Sequence, residues 1–280
     1  QLIFALEKKG IKVFPSYQTC CHFDDKVGQK YLLESINAPL VSSYVFYSKN
    51  DAKAWISQSN FPKVFKLRGG AGSQNVKIVR SSRLAKKLTN RAFGKGFPLV
   101  SKQSNIKQRF WVLKRDRTIK AAVHFLKGFI RFLQPSATSK LLPLQKGYIY
   151  FQDFIPDNSF DDRIVVIGNR AVAIRRYNRK NDFRASGSGI IDHNPSLFSA
   201  KVIAIAFDIA RKLNLQSAAF DFIYGEGDPL IVEISYAFAQ GIAYDKCPGY
   251  WDNSLNWHAE TVNLQHFIIE DFIGEIVVND

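Results

Sequence analysis

The chain has 280 residues, 46% of them apolar, which suffices for a sizeable core in one large domain or two ordinary ones and excludes global disorder. No apolar run approaches the roughly eighteen residues that span a bilayer, and three cysteines, two of them adjacent (Cys20, Cys21), give no disulfide framework, so a reducing, cytoplasmic setting is expected. The formal charge is +15, yet residues 81–150 hold sixteen Lys/Arg against one acid, Asp116, so this segment carries the whole surplus and points to a local anionic partner.

The chain contains no Met and starts without an initiator, almost inside an element; an N-terminal stretch is therefore expected to be missing. Residues 1–14 read as a helix end (Leu2, Leu6), a stop at Gly10 and a short strand, Ile11–Phe14. Asp24 is placed to cap a helix from about Asp25 to Ile36, and Ser48 with Asp51 has the form of a capping box opening a helix through Trp55. Residues 62–67 predict a strand, Gly69 to Ser73 a glycine-rich turn, and Val76–Val79 a second strand. In the basic segment Ile119, Val123, Leu126, Ile130 and Leu133 recur at helical spacing. Strands are expected at 148–155 and 163–175, the latter turning at Gly168-Asn169, followed by a polar loop, a helix at 198–213, strands at 217–224 and 229–235, and a helix over 254–273. No repeat is present, so the pattern predicts an α+β protein of two lobes.

Three places carry chemistry. Lys66 ends a strand beside the glycine-rich loop, where bare backbone N–H groups can approach phosphate oxygens; the segment lacks the P-loop and dinucleotide spacings and also reads as a plain flexible hairpin. A three-residue loop at 226–228 would set Asp221 directly opposite Glu233, two acids in apolar strands that need either a magnesium ion or a lysine from elsewhere. Five cations within Arg175–Arg184 could grip a phosphate, although such runs are commonly solvated faces. Cys20-Cys21-His22 has no second pair at zinc spacing, and His124, His193, His258 and His266 stand alone. Tyr250, Trp251 and Trp257 read as core aromatics before they read as a pocket.

Taken in order from about 24 to 236, these pieces resemble the ATP-grasp superfamily. Asp25-Lys26 is similar to its early Asp-Lys, and Lys66 with Gly70, Gly72 and Ser73 to its second lysine and flap. Gln152, Asp153, Phe154 and Ile155 look like the hinge strand that holds adenine. Asp162-Arg163 resembles the Asp-x-Arg region, whose acid reaches ribose. Arg176, and Arg184 within Asp182-Phe183-Arg184-Ala185-Ser186, look like the arginines of the glutathione-synthetase-like and protein-glutamate ligases. Asp221 and Glu233 resemble the metal-binding strands, with Ser235 where the family carries asparagine.

The resemblance implies an ATP-grasp fold of two α+β lobes gripping the nucleotide. Its parts would be a remnant of a preceding domain at 1–23, a small lobe at 24–150 with a long basic insertion, and a large lobe at 151–280. It implies an ATP-dependent carboxylate–amine (or thiol) ligase working through an acylphosphate, with one or two Mg2+ ions and a small or polymeric acidic acceptor. Lys26 and Lys66 would neutralise phosphates, and Arg184 with Arg176 would stabilise the transferred group. An ATP-grasp-like kinase of an anionic acceptor shares the same site. A third reading makes 81–150 a module for nucleic acid or an anionic membrane surface.

Overall fold

The structure, a computed structural model, describes residues 1–70, 75–99, 106, 109–114, 117–133, 143–179, 182–185, 188–238 and 243–277. In chain order the elements are α1 (Leu2–Lys8), α2 (Tyr17–Cys20), α3 (Lys26–Ser35), β1 (Ser43–Phe46), α4 (Lys49–Gln58), β2 (Lys63–Lys66), β3 (Lys77–Val79), α5 (Ser82–Ala92), α6 (Ile119–Leu133) and β4 (Ile149–Asp153). They continue with β5 (Phe160–Ile167), β6 (Arg170–Tyr177), β7 (Ile191–Asp192), α7 (Ala200–Lys212), β8 (Ser217–Gly225), β9 (Asp228–Ser235), β10 (Tyr250–Asp252), β11 (Trp257–His258) and α8 (Leu264–Val277). The chain divides into two compact units, one of residues 42–154 and one joining 1–41 to 155–280.

The 42–154 unit is built on a four-stranded antiparallel sheet of order β1-β4-β2-β3. Phe65, Ile149 and Phe151 point from it into a core with Ala52 and Ile56 of α4 and Ala85, Leu88 and Ala92 of α5. The apolar spacing of those helices leaves one buried stripe each, and serines cap both: the Ser48 hydroxyl accepts from Asp51 N–H at 3.3 Å, and Ser81 accepts from Leu84 N–H. Trp55 stacks on Phe151 with ring centroids 5.4 Å apart.

The other unit carries a seven-stranded sheet of order β11-β10-β6-β5-β8-β9, with β7 alongside β6. Strict alternation sorts β5, β6 and β8 into two faces. Ile164, Val166, Ala171, Ala173, Phe220 and Phe222 pack under α7 and Leu33 of α3, while Val165, Ile167, Val172, Ile174 and Ala219 pack against Phe238, Tyr244, Cys247 and Phe267. Each fully buried Phe or Ile contributes about 1.5–3 kcal/mol over an exposed one. No described helix is long and apolar enough to cross a membrane.

Several expectations need correction. Residues 11–14 form no strand; Ser16 and Thr19 instead bond Gln216, tying the N-terminal stretch to the start of β8. Asp25, not Asp24, caps α3, accepting from Val27 and Gly28 N–H; Asp24 has a left-handed φ of 51° that suits a residue just outside the helix. Residues 24–41 group with 155–280 and not with 42–154, because Leu33 enters the α7-side core and Val41 N–H bonds Ile231 O at 3.1 Å. The expected helix over 254–273 starts only at Leu264; before it, β10 and β11 pair at the sheet edge, setting Trp251 against Trp257.

Candidate functional site

In the unit joining 1–41 to 155–280, a row of charges crosses the sheet on the face opposite α7. The register makes Asp161 and Arg176, Arg163 and Asp221, and Asp221 and Glu233 direct cross-strand neighbours. Arg163 donates to Asp221 through both arms, Nε to Oδ1 at 2.6 Å and Nη2 to Oδ2 at 2.7 Å. Arg176 grips Asp161 in the same forked way, at 2.6 and 2.8 Å, and its Nη2 also lies 2.9 Å from Asp221 Oδ2. Lys26, the first residue of α3, reaches Glu233 Oε1 at 2.9 Å. The pairing of the two acids is therefore as expected, and cations from within the chain stand beside both.

Burial alone would raise the Asp221 pKa, but the Arg163 and Arg176 guanidiniums beside it win and hold it well below the usual carboxylate range. Asp161 goes the other way: burial pushes it up to about 6, Arg176 opposing and the Asp221 charge adding to the rise. Tyr244, against Arg163, is likewise pushed up by burial. Neighbouring groups driven in opposite directions at one spot are a feature of reactive sites, though ion networks produce it too.

Asp162 is corrected. Alternation along β5 turns it to the α7 side, where its side chain is 0% exposed. Both oxygens are taken by Arg175, at 2.7 and 2.8 Å, and Tyr224 OH donates to Oδ2. Turned away from the charged face, Asp162 is not placed to reach a ribose beside the acid pair, and Asp161 is the residue on that face. Arg175 is likewise committed to Asp162, Leu197 O and the Phe160 ring, so the run Arg175–Arg184 does not present one cationic surface. Arg184 pairs with Asp182 at 2.6 Å. The sequence reading passed over Asp161 and the bridging role of Arg163; the period-2 alternation would have separated Asp161 from Asp162.

In the 42–154 unit, Lys66 ends β2 with its side chain buried, and Gly70 adopts φ 111°, open to glycine and strained for other residues. Gly72 and Ser73 lie outside the described residues. Gln152 of β4 is buried and donates from Nε2 to Ser43 Oγ at 3.0 Å, and Asp153 pairs with Lys63 at 2.6 Å. Phe154 and Ile155 stand where the chain leaves this unit.

The two acids fit a phosphate-bearing Mg2+, which takes one or two carboxylates and completes its shell with substrate oxygens and water. Glu233 is 34% exposed. Asp221 takes three N–H bonds, fewer than its roughly four lone-pair sites. The Ser235 hydroxyl donates to Ala237 O, which leaves its own lone pairs to accept. No cluster of three or more potential His, Cys, Asp or Glu ligands occurs among the described residues.

Residues 67–242 match a family model described as a RimK-like ATP-grasp domain. No curated protein sequence matches the chain. Among solved structures the fold is similar to the ADP complex of PurK, N5-carboxyaminoimidazole ribonucleotide synthetase (13% identity, 92% of this chain and 59% of that one, TM-score 0.55). It is also similar to ATP-grasp ligase PsnB complexed with a minimal precursor (15% identity, 88% and 62%, TM-score 0.52) and to a biotin carboxylase–ATP complex from Campylobacter jejuni (14% identity, 85% and 46%, TM-score 0.53). The chain thus spans less than two thirds of the length of these proteins.

Proposed function

The chain belongs to the RimK-like ATP-grasp family, and from that premise we propose that it is an ATP- and Mg2+-dependent carboxylate–amine ligase. The observation that carries this reading is the opposed pair Asp221 and Glu233, set at the site face of β8 and β9 and ringed by Lys26, Arg163 and Arg176. Bound there by Asp221 and Glu233, with Ser235 beside them, Mg2+ would neutralise phosphate charge. The γ-phosphoryl group of ATP would pass to a carboxylate, and the amine would attack the resulting acylphosphate.

The chain's own part is positioning and charge. Lys26, now paired with Glu233, would turn its ammonium toward phosphate, and Arg176 and Arg184 would meet charge developing on the transferred group. Asp221, kept ionised by its two arginines, would stay a metal ligand at any physiological pH. Lys66 with Gly70, Gly72 and Ser73 would contact phosphates, while the backbone of Gln152, Asp153, Phe154 and Ile155 would receive adenine. No covalent nucleophile is required of the protein.

The test is phosphate release from ATP against pools of carboxylates and amines. Release should need both, and Asp221→Asn or Glu233→Gln should lower it by about a hundredfold or more while ATP binding falls less. Full turnover in either variant would remove the metal assignment, and phosphate retained on a single acceptor would make the protein a kinase.

A further inference from the structure

Helix α6 presents three unlike stripes. One packs inward: Gly128 lies against the Arg109 side chain, Phe125 sits 5.7 Å from Phe110, and Arg109 Nη1 donates to His124 O at 2.6 Å. The second is apolar and uncovered, with Ile119 85%, Val123 42% and Leu126 59% exposed, at positions i, i+4 and i+7 of one helix face. The third, next to it at helical spacing, holds the exposed Lys120, Lys127 and His124. From 117 to 150 the sequence contains six Lys/Arg and no Asp or Glu.

We propose that α6 lies flat on an anionic lipid surface, with Ile119, Val123 and Leu126 at the headgroup–acyl boundary and Lys120 and Lys127 on lipid phosphates. An aliphatic ridge running beside a lysine row matches that boundary: the ridge leaves water while the ammonium groups stay among headgroups. Nucleic acid fits less well, since bases stack on aromatic rings and a phosphate backbone offers nothing to isoleucine, valine and leucine. At fifteen residues the helix is about 22 Å long, too short to span and long enough to lie in the plane. It carries none of the residues proposed to hold ATP, so it can be tested apart from them.

The experiment is co-sedimentation of the full chain with vesicles of phosphatidylcholine alone or mixed equally with phosphatidylglycerol, in 0.1 and about 0.5 M NaCl. Binding is expected to the anionic vesicles only, and to weaken with salt as screening shortens. Each lysine near the surface is worth about fivefold, so Lys120→Gln/Lys127→Gln should weaken binding by about 25-fold. Ile119→Ser/Val123→Ser/Leu126→Ser, all exposed positions whose circular dichroism should match the parent, should weaken it by roughly tenfold or more at low salt. Equal binding to both vesicle types, or no binding, overturns the proposal. So does a serine variant that binds like the parent, or tighter capture by single-stranded RNA than by vesicles. A parent dimer that the serine variant makes monomeric would assign the ridge to a second copy and overturn it as well.

Discussion

Replacing Arg175 by Met strips from Asp162 the one cation bonded to it among the described residues; Asp162 is fully buried and would keep a neutral donor, Tyr224 OH. Breaking a buried pair in this way costs about 3–5 kcal/mol, because an uncompensated charge remains inside. At about 2–4 °C per kcal/mol for a chain of this order, Tm should fall by about 6–20 °C. Adding Asp162→Asn should return most of the loss, since asparagine still accepts from Tyr224 and no charge is stranded. Circular dichroism melts of the parent, both single variants and the double variant complete the cycle, with ATP titration calorimetry on each. Asp162 faces α7 and the charged row faces away from it, so Asp162→Asn should leave the ATP Kd within about twofold. A tenfold weaker Kd with an unchanged Tm would refute this placement and return Asp162 to the ribose.

Three further outcomes follow from the same geometry. Asp161 is raised to about 6, so its protonated form is favoured by folding; the stability it confers is complete below about pH 4 and is lost as pH rises toward 6. Urea unfolding of the parent and Asp161→Asn should therefore diverge by up to ~3 kcal/mol between pH 4 and 6.5, and parallel curves would contradict it. Lys66→Ala should weaken ATP by about ten- to a hundredfold, the worth of a charge-assisted bond to phosphate, and an unchanged Kd would make the glycine-rich turn a simple hairpin. The Cys247 thiol is buried and pushed up to about 12, so maleimide at pH 8 should label Cys20 and Cys21 in the folded protein and Cys247 only in urea; three adducts without urea would show that side of the sheet to be open.

Local signals carried much of the fold. The Ser48 cap, the Gly168-Asn169 turn and the α7 stripe of Val202, Ile203, Ala206, Ile209 and Ala210 all depend on neighbours within a few residues, and each appears where the spacing puts it. Elements made by distant partners did not announce themselves: β10 and β11 are two or three residues long and exist because Trp251 pairs with Ala171 and Trp257. The attachment of 24–41 to the C-terminal unit rests on Val41 and Leu40 meeting Ile231, nearly two hundred residues away. The site shows both sides. Asp221 does face Glu233, but through a different path: the turn has two central residues, Glu226 (φ 53°) and Gly227 (φ 90°), not three. A bulge between Asp221 and Phe222, where the register steps over Val232 of β9, supplies the extra residue.

That bulge gives the hairpin a parity. Across a two-residue turn, partners always carry numbers of unlike evenness, and two odd-numbered residues such as 221 and 233 can meet only if the register steps over one residue between them. Val232 is that residue here, and Ile231 and Ile234 on either side of it both return to the α7 face. With the same residues and no bulge, the two-residue turn would set Val232 opposite Asp221 and Glu233 opposite Phe220, turning Glu233 under the helix and leaving a hairpin intact with the acid pair dissolved. Moving the odd residue from β9 into the turn would change the local sequence and keep the pair. Deleting the odd residue would also keep it, because four pairs and the two-residue turn then fill the space between the acids, so the pair depends on where an extra residue sits and not on a fixed count.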